Sequence, residues 1–256
     1  MSLDDAPVLL AFDGDTATLT LNRPRYRNAA DLALLEALIE AAERLERERP
    51  RVVLLRGAGP AFCAGIDLRA MQAADTPAAT RHLIATMHRA LSDLRALTVP
   101  VVAVIQGACV GLGVELAISA DLRIAAPTAR FSYREPAVAV PSPAWRLIQV
   151  VGLARAQDLL LTARWVDAEE ALALGLVSRV AEDAEASAGE VAEQIAALAP
   201  LAVVETKRNI ALSLNQGTVA AAQHHVDAVV AARQTEDGHE ALAAFAEKRE
   251  PRFVGR

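Results

Sequence analysis

The sequence predicts an α/β fold, and three observations carry that expectation. Short runs rich in Val, Ile and Leu alternate along the chain with longer stretches whose apolar residues recur at helical spacing. The 256 residues are 53% hydrophobic but only 4% aromatic, so the interior must be built from Ala, Leu, Val and Ile, a set that suits helices packed closely over a sheet. From residue 184 onward nearly everything reads as Ala-rich amphipathic helix. A chain of this length forms one main core, or one core with an appendage. The expected division is an α/β core over 1–195 and a helical region over 196–256.

Taken in order, residues 8–12 and 16–21 are expected as strands joined at Asp13-Gly14-Asp15, a hairpin signal. Asn28 leads into an amphipathic helix over 32–49, which Pro50 ends. A strand over 51–56 is broken by Gly57-Ala-Gly-Pro60, and 61–69 then runs into a short helix. The stretch 77–97 has one charged and one apolar face and reads as a helix. Residues 101–105 form a β-branched run, the mark of a strand covered on both faces. Next come a strand over 122–125, an extended piece over 130–132 and helices from about 144. A last strand is expected over 177–181. Residues 182–190 are acidic and small, a surface loop or a helix start. Pro200 then divides two helices and Gly217 marks off a third.

The formal net charge is −6, which argues against a nucleic-acid surface. Met1-Ser-Leu-Asp-Asp5 does not have a basic region followed by an apolar one, and no apolar run reaches the length of a membrane span. A cytoplasmic protein with neither nucleic-acid nor membrane partners is expected. Two cysteines, Cys63 and Cys109, make no disulfide framework, supply too few thiols for zinc, and read as small buried free thiols. His82 and His88 do not share a helix face, and the adjacent His224 and His225 diverge, so no metal site is expected.

The chemistry concentrates in two strand-to-helix turns. In the first, Gly107, Gly111 and Gly113 follow the buried strand and leave the backbone bare, so the opening amides of the next helix can point at an anion with the helix dipole behind them. Glu115 falls in the first turn of that helix. The positive helix end favours its charge, while Val114, Leu116, Ala117 and Ile118 desolvate it. The same residues also describe a plain strand-to-helix connection with an acidic helix start. The second turn lies around Gly65 and Ile66, where Asp67 can equally be a helix cap. Two such turns converging on one carbonyl oxygen make an oxyanion hole, each donor contributing about 2.7–4 kcal/mol to the transition state.

Phe62-Cys-Ala-Gly-Ile-Asp67, with Pro100-Val-Val-Ala-Val-Ile-Gln-Gly107 through Gly111-Leu-Gly-Val-Glu115, resembles the crotonase (enoyl-CoA hydratase/isomerase) superfamily. Leu21-Asn-Arg-Pro-Arg-Tyr-Arg-Asn28 is similar to its first motif, Ala168-Glu-Glu-Ala-Leu-Ala-Leu-Gly-Leu-Val177 to its late helix-strand unit, and Ala244-Phe-Ala-Glu-Lys-Arg249 to its tail. The resemblance covers nearly the whole chain, and the order and spacing of the five segments make it specific. It implies a crotonase-like spiral of repeated ββα units with a C-terminal helical trimerisation region, assembled as a homotrimer or a dimer of trimers. It also implies an acyl-CoA thioester as substrate, with coenzyme A part of the substrate and no further cofactor.

By the same resemblance the oxyanion donors are the backbone N–H groups of Ile66 and Leu112, where the family usually has Gly or Ala, so a narrowed acyl pocket is expected. Arg25 and Arg69 match positions that meet the CoA nucleotide, and Lys248 matches a tail lysine that reaches it from a neighbouring subunit. Glu115 matches the first catalytic glutamate. Glu135, four residues after Phe131, stands where the second belongs. Two departures mark this region: the family's Pro precedes its Glu, whereas Pro136 follows Glu135, and the family's Pro-Gly-x-Gly-Gly stretch is replaced by the shorter Pro141-Ser-Pro-Ala-Trp-Arg146. The expected reaction is hydration of a 2-enoyl-CoA in fatty acid metabolism, with Glu115 and Glu135 sharing base and acid work. Double-bond isomerisation and acyl-CoA binding without turnover are the alternatives.

Overall fold

The computed structural model describes residues 6–256; the reading of Met1–Asp5 lies outside the described residues. A hairpin of β1 (Val8–Asp13) and β2 (Thr16–Leu21) begins the chain, with Val8 opposite Leu21. Helix α1 (Leu32–Glu48) leads to β3 (Val52–Gly57), and α2 (Leu68–Ala73) and α3 (Pro77–Ala96) lead to β4 (Val101–Ile105). Next come β5 (Ala108–Val110), α4 (Leu112–Ser119), β6 (Leu122–Ala125) and β7 (Arg130–Ser132). Helices α5 (Trp145–Val151) and α6 (Leu153–Thr162) precede β8 (Val166–Asp167), α7 (Ala168–Leu174), β9 (Arg179–Val180) and α8 (Ala184–Ala196). Helices α9 (Pro200–Gln216), α10 (Thr218–Arg233) and α11 (Glu236–Glu247) complete it.

The main sheet runs β1-β2-β3-β4-β6-β9, parallel from β2 onward, while β5, β7 and β8 form a separate small sheet. Residue alternation in β4 sets the layers. Val101, Ala103 and Ile105 point into the main core with α1, α3 and α4. Val102 and Val104 point the other way, onto Ala184, Ala188, Val191 and Ala192 of α8. A strand covered on both faces must read as a continuous apolar run, as this one does. The parallel strands all end on the same side, so the turns that follow β3 and β4, which lead on to α2 and to β5 and α4, lie at that end.

Local chemistry ends the elements where the sequence suggests. Asp31 accepts from the Leu34 N–H at the start of α1, and Thr76, with Pro77 behind it, accepts from the Ala79 N–H at the start of α3. Asn28 is not the helix start. It is buried in the left-handed region at φ 56°, and its amide donates to the carbonyls of Ala58, Ala61 and Phe62 at 2.8–3.1 Å. It is a clamp on the loop after β3. The strand expected over 177–181 is confined to Arg179–Val180. The segment 182–190 is mostly α8, capped by Asp183. The three-residue β5 and two-residue β8 were not expected; strands this short carry no readable alternation.

Helices α9 and α10 pack on each other and bury almost nothing else: no residue of α9 and only Ala221 of α10 is buried. Ile210, Leu214, Val219, Val226 and Val230 stand exposed along them. Four polar contacts, made by two side chains, hold the region to the core. Lys207 pairs with Asp121 at 2.7 Å and donates to the Val99 carbonyl, while Arg51 donates to the carbonyls of Ala196 and Phe253. Among the described residues no single helix is long and apolar enough to cross a membrane.

Candidate active site

The two expected donor turns are brought together. A parallel bridge pins the loop after β3 to Ala30: the Ala30 N–H donates to the Gly65 carbonyl and the Asp67 N–H to the Ala30 carbonyl, each at 2.8 Å. Alternation along that bridge turns the Ile66 N–H away from it, and this group makes no hydrogen bond among the described residues. The same loop pairs with β5 through Cys63 N–H to the Ala108 carbonyl and Val110 N–H to the Cys63 carbonyl. Leu112 is the first residue of α4, so its N–H has no carbonyl one turn back and is also free. A Cβ built on Gly65 would lie 4.0 Å from the Leu112 nitrogen, which measures how close the turns are. At Gly113 the approach is tighter still, since a Cβ there would sit 2.3 Å from the Cys63 carbonyl oxygen. The side chains of Ile66 and Leu112 both pack on the main core, so their bulk is absorbed there.

Both carboxylates reach this end of α4. Glu115 is 2% exposed and its Oε1 accepts from the Tyr133 hydroxyl at 2.7 Å. Burial pushes its pKa above the ordinary carboxylate value, the Tyr133 hydrogen bond and the Arg146 charge pull it back, and Glu135 pushes it up again. Glu135 opens a 3-10 turn at Glu135–Val138, and its Oε1 lies 2.7 Å from where a Cβ on Gly111 would be, the residue that caps α4 at φ 53°. Its Oε2 accepts from the Ser142 hydroxyl at 3.1 Å. Burial raises its pKa too, opposed by its own backbone N–H and by Ser142.

Three supporting residues, Tyr133, Ser142 and Arg146, were not singled out from the sequence, and a fourth, Asn28, was read only as the lead-in to a helix. Phe131 and Tyr133 are two apart on an extended segment and both are buried, so alternation could have pointed Tyr133 inward. Ser142 and Arg146 come from the stretch that departs from the family pattern. Arg146 is buried, donates to the Ile118 carbonyl at 2.6 Å and to the Ser119 hydroxyl at 3.0 Å, and so closes the C-terminal end of α4. Burial, with Arg95 nearby, lowers its pKa to about 10, which leaves it a cation at neutral pH.

The three expected CoA-binding cations divide. Arg25 lies in a 3-10 turn at Pro24–Tyr26 and Arg69 in the first turn of α2, which Asp67 caps by accepting from the Arg69 N–H. They share one exposed surface: the Tyr26 ring has the Arg69 guanidinium 5.8 Å and the Arg23 guanidinium 4.8 Å from its centroid, and Arg23 pairs with Asp31 and Asp67. Lys248 is exposed at the C-terminal cap of α11. Cys63 and Cys109 are free and buried side by side, with burial raising Cys63 to about 12 and Cys109 well above its usual value, so both are neutral. Among the described residues no group of three or more His, Cys, Asp or Glu side chains could hold a metal.

Two unpaired N–H groups, the buried carboxylate of Glu115 and the half-buried one of Glu135 thus gather at the start of α4, on a fold of repeated strand and helix units. The family model for enoyl-CoA hydratase/isomerase matches residues 12–256. The crystal structure of enoyl-CoA hydratase from Bacillus anthracis superposes with a TM-score of 0.93 at 34% identity, covering 98% of this chain and 100% of that one. The short-chain-enoyl-CoA hydratase of Clostridium acetobutylicum is 33% identical over 250 residues, 94% of this chain and 95% of its own length. The peroxisomal Delta(3,5)-Delta(2,4)-dienoyl-CoA isomerase of Arabidopsis thaliana is 33% identical over 264 residues, 94% of each. The chain belongs to the enoyl-CoA hydratase/isomerase family of the crotonase superfamily, and is an enzyme of that family.

Proposed function

We propose that the protein adds water across the double bond of a 2-enoyl-CoA thioester. The observation that carries this reading is the meeting, at one end of α4, of the free Ile66 and Leu112 N–H groups with the carboxylates of Glu115 and Glu135. The thioester carbonyl oxygen accepts from both N–H groups, so negative charge gathers on it as the enolate forms. Glu115 takes a proton from water while the water oxygen bonds to the β-carbon. Glu135 gives a proton to the α-carbon, and the two elements of water are then added with nothing oxidised or reduced. Two nearby carboxylates resist both being charged, which favours one shared proton and suits an acid-base pair. Tyr133 and Arg146 both favour the ionised form of Glu115, which suits it to the base role.

In this reading the CoA nucleotide lies against Arg25 and Arg69, with Lys248 arriving from a neighbouring copy. The exposed apolar faces of α9 and α10 support a homotrimer, or a dimer of trimers, with 1–195 as core and 196–256 as the assembling region. No cofactor beyond the CoA of the substrate takes part in the proposed chemistry, and a cytoplasmic site in fatty acid metabolism fits it. The test is turnover of purified protein with a panel of 2- and 3-enoyl-CoA thioesters, following water addition and double-bond migration separately. A 3-hydroxyacyl-CoA product is expected from crotonyl-CoA. Migration without hydration would replace the reading by an isomerase, and acyl-CoA binding by calorimetry with no product would replace it by a non-catalytic binder.

A further inference from the structure

One hydroxyl rests on each carboxylate, and the two contacts are unequal. Tyr133 and Glu115 are both almost wholly buried and 2.7 Å apart, whereas Ser142 meets the less buried Glu135 at 3.1 Å. Tyr133 follows directly on β7, whose Ser132 carbonyl accepts from the Gly111 N–H at 2.9 Å. Its ring is therefore fixed by the same strand that holds the start of α4, where the Leu112 donor lies. Glu115 Oε2, by contrast, accepts no hydrogen bond among the described residues.

We propose that Tyr133 is a positioning residue for Glu115, holding Oε1 so that Oε2 alone is presented to the reacting water. The inference rests on the reading of Glu115 as the base. A carboxylate torsion is broad and two-fold when free, and a base works only when its lone pair is aimed at the proton it takes. A single anchored oxygen removes that freedom without filling the oxygen that reacts. The phenol is suited to the task because burial, and the carboxylate beside it, push its pKa well above the ordinary value, so it donates throughout the working pH range. The charged and titratable groups facing Glu115 are Tyr133 after β7, Arg146 from α5, Glu135 from its 3-10 turn and Arg95 from α3. Of these, Tyr133 alone makes a hydrogen bond to it.

The test is Tyr133→Phe, which keeps the ring and deletes the donor, assayed for crotonyl-CoA hydration against pH in wild-type and Glu115→Gln backgrounds. In the wild-type background kcat is expected to fall by about 10- to 100-fold, the weight of one hydrogen bond to a charged group, with KM within about twofold. The acidic limb of kcat/KM moves to higher pH, because a bond that favoured the ionised carboxylate is gone. In the Glu115→Gln background the same change adds no further loss, since the group it acts through is already disabled. Glu115→Gln abolishing hydration while Tyr133→Phe leaves kcat and the acidic limb unmoved overturns the positioning role alone. So does an equal loss from Tyr133→Phe in both backgrounds, which marks a purely structural effect. Full hydration by Glu115→Gln overturns the base reading and the inference with it.

Discussion

The backbone N–H groups of Ile66 and Leu112 and the carboxylates of Glu115 and Glu135 meet at one end of α4, but the first pair is held by main-chain packing and pairing and the second by side-chain hydrogen bonds. On the donor side the main chain of α4 rests directly on the Cys63 carbonyl, with room for nothing larger than hydrogen at Gly113. The bridge from Ala30 and the pairing of β5 with Cys63 leave that loop no freedom to adjust. On the carboxylate side, position depends on the hydroxyls of Tyr133 and Ser142, with Arg146 bracing α4 from its other end. Oxyanion donors must be in place before charge develops, so rigid packing serves them. Proton-transfer groups must hold particular pKa values, and hydrogen bonds set those as well as direction.

That contrast is open to direct attack, beginning with Gly113→Ala. The added methyl would sit 2.3 Å from the Cys63 oxygen, so the two turns must part, and a loss on the order of 10²- to 10³-fold in kcat is expected, the size of one lost oxyanion donor. Steady-state hydration of crotonyl-CoA, with circular dichroism to verify folding, reads it. A wild-type rate would mean that packing does not set the donors.

Glu115→Gln probes the other half through stability. The native pKa of Glu115 lies above the ordinary value of 4.5 because of burial, so the folded protein holds that proton more tightly than the unfolded chain does. Below the unfolded value no penalty exists; as pH rises through the raised native value, ionising the buried group costs stability. The substitution is therefore expected to raise the melting temperature at pH 8 by roughly 2–4 °C, the shift that ~1 kcal/mol produces at this chain length, and the gain should vanish at pH 4. An equal shift at both pH values would remove the charge from the explanation. The smallest effect is at the exposed edge. Arg69→Ala should raise KM for crotonyl-CoA about two- to fivefold at unchanged kcat, the weight of an exposed ion contact. A crotonyl thioester of pantetheine, which carries no nucleotide, should show no difference.

How much of this was legible in the sequence follows the same division. Continuous apolar runs and helical periodicity disclose β4, α1 and α3 because burial on one or both faces leaves a period in the sequence. The donor turns are visible through their glycines, since only bare backbone tolerates the approach at Gly113. Glu135 stands out only through the family resemblance, which sets the second glutamate four residues after Phe131 despite the displaced proline. The carboxylate supports were harder to see, because a Tyr, a Ser and an Arg contributed by separate segments carry no period and no motif. Arg146 stands among Trp, Leu and Ile in α5, and only the fold shows that it closes the far end of α4. The apolar residues of α9 and α10 read in sequence as ordinary amphipathic helix, yet within one chain they cover little beyond each other.

The most direct measurement is crotonyl-CoA hydration by Glu115→Gln, Glu135→Gln and the double variant. If the two carboxylates act as one acid-base unit, each single substitution lowers kcat by about 10²- to 10⁴-fold, and the double variant is little worse than either single one. Full hydration by the protein bearing Glu135→Gln would contradict the paired mechanism.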